Sequence, residues 1–182
     1  DKGLLYKGYS IQPYSPAAGT GLSSHELNQP GCYRDVKDTT AVVQFKVIKD
    51  GKSQFLFGDS PLPLFFLAWT TTPWTLPSNT ALCVGPNIEY LKVESVNPYT
   101  KEPAIYIVAK ALLDAHFNEK IPFCVLGKSI KGKELAGIRY EQLFPWVKCP
   151  EGAHKVILGD FVTTEDGTGI VHIAPTFGAD DD

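Results

Sequence analysis

Residues 62–69 read LPLFFLAW, an apolar run too short to cross a membrane and too continuous for a strand with one wet face. Such a run fits a strand buried on both sides, and a chain that carries one must supply cover for two faces. The surrounding sequence offers mostly more strands. Residues 40–48 are β-branched and partly alternating, and a turn at 49–52 leads to residues 53–57, so the pair is expected to form a hairpin. Further strands are predicted at 80–84, 88–96, 104–108, 155–158, 161–164 and 169–173. Helical periodicity is confined to 109–117, with a second short piece within 134–144. With 16 Gly and 14 Pro punctuating 182 residues, the expectation is a mainly β protein. Its strands would form a barrel or a packed β core with a few short peripheral helices.

Composition removes several functional classes. Seventeen basic against 20 acidic residues give a net charge of −3, which lacks the footprint of a duplex-binding domain. The four cysteines are scattered and form no CxxC pair, and no Cys/His cluster has zinc spacing, so no metal site is expected. Free thiols without a signal peptide suit a reducing cytoplasm. No GxSxG, P-loop, GxGxxG or HExxH motif occurs. The chain has no Met and opens on Asp1, so it is expected to be a piece of a longer polypeptide. Residues 1–34, rich in Pro, Gly and Ser after a strand-like start, are expected to be a connector into a domain at 35–182.

Two segments could carry chemistry. The first is 69–79, WTTTPWTLPSN, directly after the buried run. Pro73 and Pro77 stop the strand ladder, and Thr70, Thr71 and Thr72 cluster hydroxyls and backbone amides at its end. That cluster can hold a water, a ribose hydroxyl or a developing oxyanion; it can equally satisfy local backbone groups. The second is 167–181, GTGIVHIAPTFGADD, in which a β-branched strand delivers His172 and carboxylates follow a Pro/Gly turn. A neutral imidazole can shape a pocket or accept a proton, and a returning carboxylate can bind an ammonium group. The alternative is a structural histidine and a solvated acidic end. The aspartate run lacks the alternating spacing of a calcium loop. His25, His116 and His154 sit in polar or helical surroundings and are read as structural or surface residues.

Together the two segments resemble the editing domain of isoleucyl-tRNA synthetase, a class I aminoacyl-tRNA synthetase family. Residues 69–79 look like its threonine-rich peptide, and 167–181 look like its second signature, where a His and an Asp nine positions later form the amino-acid pocket. Residues 14–26, YSPAAGTGLSSHE, resemble the connector to the catalytic body. The valyl and leucyl relatives typically read Thr-Thr-Arg-Pro; Thr72 before Pro73, followed by Trp74, favours the isoleucyl branch.

The resemblance implies a β-barrel-like insertion, connective peptide one, that hydrolyses the ester of valyl-tRNA(Ile) and also clears valyl-adenylate. The class I signatures HIGH and KMSKS are absent, so the piece should edit without aminoacylating. It also implies roles. Asp181 binds the α-ammonium group, with Asp180 and Asp182 ranked below it. His172 forms the wall that valine clears and isoleucine does not, and Trp74 offers an apolar face. Thr70, Thr71 and Thr72 contact the terminal adenosine and position the attacking water, and Asn79 lies near the site. Editing would need no metal or cofactor, whereas the full-length enzyme would use ATP and Mg²⁺. The implied partners are the 3′ end of tRNA(Ile) carrying valine and the remainder of the synthetase, with no membrane.

Two departures stand out. Phe177 occupies a turn in which many bacterial relatives carry a second His. Family insertions also run on past the acidic segment, so the chain is expected to be truncated on its C-terminal side. The rival reading is a non-catalytic module that holds the aminoacyl-adenosine end of tRNA without cleaving it.

Overall fold

The computed structural model describes residues 4–8, 11–118, 121–175 and 177–178. Among these residues ten strands run β1 (Tyr14–Ser15), β2 (Thr20–Gly21), β3 (Ala41–Lys46), β4 (Leu64–Thr70), β5 (Ala81–Val84), β6 (Glu89–Val96), β7 (Pro103–Ala109), β8 (Phe123–Lys131), β9 (Lys155–Leu158) and β10 (Ile170–Ile173). The one-turn helices among them are α1 (Ser24–Leu27), α2 (Gln54–Phe57), α3 (Leu113–His116) and α4 (Gly132–Leu135), with 3₁₀ turns at Pro73–Ser78 and Lys110–Leu112.

The mainly β class is as expected, but the strands do not close into a barrel. They form a five-stranded sheet ordered β3-β4-β7-β6-β8, a three-stranded sheet ordered β10-β5-β9, and the ribbon β1-β2. The chain changes sheets at the Pro73–Ser78 turn, which carries β4 of the first sheet into β5 of the second.

Strand β4 is covered on both faces, as its continuous apolar run requires. Leu64, Phe66 and Ala68 enter the main core with Ile105 and Ile107 of β7. Phe65 and Leu67 face a second cluster with Tyr106, Val108 and Phe117, beneath the α3 turn. Tyr90 ties the two sheets together: its buried hydroxyl donates to Gly169 O (2.7 Å) and accepts from Gly85 N (3.1 Å). Burial pushes that phenol well above its ordinary pKa.

Three sequence expectations are corrected. Residues 53–57 are not a returning strand. Asp50 Oδ1 accepts from the amides of Lys52 (2.9 Å) and Ser53 (3.1 Å), and Ser53 Oγ donates to Ile48 O (2.6 Å). This side-chain turn coils the chain into α2 and buries Leu56 and Phe57. The antiparallel partner of β3 is therefore β4. Residues 161–164 form no strand, although Val162 is buried. Strand β8, absent from the sequence expectations, is a largely exposed edge strand with a register shift against β6, so it carries no clean alternation.

Before β3 lie the β1-β2 ribbon and α1, whose first turn closes as a capping box between Ser23 and Glu26.

Candidate functional site

Strand β4 ends at Thr70, and Pro73 begins the 3₁₀ turn with its ring at a position where no backbone N–H is needed. In a 3₁₀ turn, side chains three apart eclipse one another. Thr72 and Thr75 therefore stand together: their hydroxyl oxygens are 3.4 Å apart. Thr70 Oγ1 lies 3.4 Å from Thr72 Oγ1 and accepts from Thr72 N at 3.0 Å.

Strand β10 pairs antiparallel with β5, setting His172 opposite Leu82. That register brings the His172 ring to the 3₁₀ turn, with Nε2 at 2.9 Å from Thr75 Oγ1. Thr70, Thr72, Thr75 and His172 thus form one continuous polar chain.

The glycines before β10 make this approach possible. Gly167 (φ +74°) packs against the Trp69 ring, where a Cβ would come within 2.8 Å of it. Gly169 (φ +71°) abuts Ala109, and a Cβ there would overlap the alanine methyl. His116 Nε2 donates to Gly167 O at 2.6 Å and holds the loop against Trp69. Its structural role matches the sequence reading, as do those of His154, bonded to Asn79 O (3.2 Å), and His25, beside Gln29 (3.1 Å).

The polar chain borders an open cleft of about 270 Å³, lined by Trp69, Thr70, Thr71, Thr72, Thr75, Val171, His172, Phe177 and Gly178. His172 is 7% exposed, and burial lowers its pKa, favouring the neutral ring. The Thr75 hydroxyl donates its one proton to Thr72 O at 2.8 Å, so His172 Nε2 donates to Thr75. Among the described residues, His172 Nδ1 is left as a buried lone pair without a hydrogen-bond partner. The arrangement offers hydroxyls and a neutral imidazole to an uncharged, polar reacting group. Among the described residues, no group of three His, Cys, Asp or Glu could hold a metal ion.

The sequence candidates fall into three groups. Thr70, Thr71, Thr72 and His172 border one cleft, with Phe177 on its rim. Trp74 and Asn79 stand apart from it. The Trp74 side chain is 62% exposed, pointing into solvent from the 3₁₀ turn. Asn79 is buried; its amide donates to Ala81 O (2.8 Å) and accepts from Tyr140 OH (2.7 Å), locking the turn onto β5. Asp180, Asp181 and Asp182 lie outside the described residues. Thr75 is the residue that sequence reasoning missed, although Pro73 as the start of a tight turn would have placed it over Thr72.

No family model matches the chain. Over 99% of its length it is 65% identical to an isoleucine–tRNA ligase of Bacteroides fragilis, and over 100% it is 64% identical to that of Porphyromonas gingivalis. The chain spans 17% of the length of each of these relatives. Among solved structures it resembles the cytosolic leucyl-tRNA synthetase editing domain of P. falciparum, with a TM-score of 0.55 at 14% identity, covering 74% of this chain and 60% of that one. Along its whole length, then, the chain matches a segment of isoleucine–tRNA ligases, and its fold is that of a synthetase editing domain.

Proposed function

We propose that this domain hydrolyses the ester joining valine to tRNA(Ile), and that it also clears valyl-adenylate. The observation that supports this most is the polar chain from Thr70 through Thr72 and Thr75 to the buried, neutral His172. A site that must discriminate against isoleucine needs a rigid wall, because one CH₂ of missing contact contributes only ~1–3 kcal/mol in a hydrophobic pocket, a bound for which the isoleucine–valine pair is the usual illustration. A second site that excludes the larger side chain by overlap adds selectivity that contact alone cannot supply.

In this reading Thr70, Thr71 and Thr72 hold the terminal adenosine and orient a water. The water oxygen bonds to the ester carbonyl carbon, the bond to the ribose oxygen breaks, and that oxygen takes the proton the water loses. Free valine and a tRNA with an intact ribose diol result. An ester is already activated, so positioned water and hydrogen-bond donors supply the rate without a metal. His172 limits the depth available to the side chain, and Asp181 pairs with the α-ammonium group. Asn79 acts as a positioning residue by anchoring the 3₁₀ turn. The partners are the valine-bearing 3′ end of tRNA(Ile) and the remainder of the synthetase, in the cytoplasm. ATP and Mg²⁺ belong to aminoacylation by the full-length enzyme.

Deacylation of valyl-tRNA(Ile) and isoleucyl-tRNA(Ile) at high protein concentration, beside Asp181→Ala, tests this. Loss of the valyl ester alone, abolished by the substitution, is the expected result. Binding of a non-hydrolysable valyl-adenosine analogue without cleavage of either ester would replace it with the binding-module reading.

A further inference from the structure

A second cleft, of about 590 Å³, opens on the far edge of the three-stranded sheet and is lined by Lys52, Arg139 and Lys155. Arg139 and Lys155 are directly opposed in an isolated antiparallel bridge. Directly opposed side chains have Cβ atoms only about 5 Å apart, and like charges in that position destabilise a sheet. Lys52 joins them: its Nζ lies over Gly137, where an added Cβ would come within 2.8 Å. All three side chains are exposed, and among the described residues none makes an ion pair. Glu151 lies on the rim, and the Asp50 carboxylate feels the field of Arg139. These acids leave the cation group unneutralised in a chain whose net charge is −3.

The cleft also has a fixed place relative to the threonine site. Ala81 of β5 pairs with Ile173 of β10 on one side and with Lys155 of β9 on the other. The strand bearing His172 and the edge bearing Lys155 are therefore two strand spacings apart, about 10 Å.

We propose that Lys52, Arg139 and Lys155 form a phosphate-binding cleft for the RNA strand whose aminoacylated end enters the threonine site. The proposal rests on the functional reading above for the identity of the strand. The opposed cations are tolerated because phosphodiester oxygens come between them when RNA is bound. Arg139 supplies a fork for two phosphate oxygens, and the lysines act as point charges.

The test compares wild type, Lys52→Ala, Arg139→Gln and Arg139→Glu against two probes. One is an RNA minihelix with a four-nucleotide single-stranded 3′ overhang; the other is a non-hydrolysable valyl-adenosine analogue without phosphates. For wild type, log K against log salt should fall with a slope near −2 for about three single-strand phosphates, and each neutral variant should lose about 0.7 of that slope. Minihelix affinity should fall about tenfold in Arg139→Gln, with the analogue bound as before. Arg139→Glu should lose minihelix binding yet raise the thermal midpoint at low salt, because it turns a repulsive pair into an attractive one. Unchanged RNA affinity and slope in the neutral variants would overturn the proposal, and so would a lower midpoint in Arg139→Glu. If wild type fails to bind the analogue while the salt slopes behave as described, the cleft stands and the threonine-site reading falls.

Discussion

The Thr75 hydroxyl and the His172 imidazole meet at 2.9 Å, although 97 positions separate them in the chain. This bond joins the turn after β4 to strand β10, so the threonine peptide and the histidine signature form one unit. Replacing Thr75 by Val leaves His172 Nε2 and Thr72 O without this partner in a buried site. The expected cost is ~1–3 kcal/mol in urea unfolding, with deacylation reduced well beyond the effect of Thr75→Ser, which keeps the hydroxyl.

Stability should fall as the solution is acidified. Burial lowers the His172 pKa in the folded state from its ordinary value of 6.5. Below about pH 6.5 the unfolded chain therefore takes up a proton that the folded chain still refuses, and stability is lost as the pH falls through the folded pKa. Urea midpoints at pH 7.5 and 5.5 should differ in wild type, and the difference should shrink in His172→Gln.

Selectivity should collapse when the His172 wall is shortened. His172→Ala is expected to cleave isoleucyl-tRNA(Ile) at a rate approaching that for the valyl ester, whereas wild type spares it. Continued sparing of the isoleucyl ester by this variant would remove the steric role from His172.

Backbone conformation at Gly169 should prove as demanding as any side chain in the site. Gly169→Ala places a methyl on Ala109 at a φ of +71°, which disfavours any residue with a Cβ. A loss of more than about 1 kcal/mol is expected. Adding Ala109→Gly should recover part of it by removing the overlap, leaving the backbone strain. Thermal midpoints of the single and double variants give both contributions.

Much of the architecture is legible in local pattern. The unbroken apolar run before Thr70 demands a strand covered twice, and β4 is one. Pro73 and Pro77 end that strand where the sheet change occurs. The glycines of the GTG triplet mark the close approaches to Trp69 and Ala109. The threonine and histidine signatures identify the family, because short motifs with defined chemistry survive in sequence as contiguous letters.

Other features depend on partners distant in the chain. Residues 53–57 look like a strand, yet the Asp50 and Ser53 side chains offer the backbone a cheaper set of hydrogen bonds in a helical turn. Strand β8 belongs to its sheet through backbone pairing with β6, which needs no apolar alternation at an exposed edge. Asn79 belongs to the signature peptide by position, but Tyr140 and Ala81 engage its amide away from the cleft. The sequence alone determined the strand-forming runs, their breaks and the chemical kinds of residue at the site. Tertiary structure decided which of those residues meet, because sheet pairing and burial are set by groups far apart in the chain, and only their register brings His172 to Thr75.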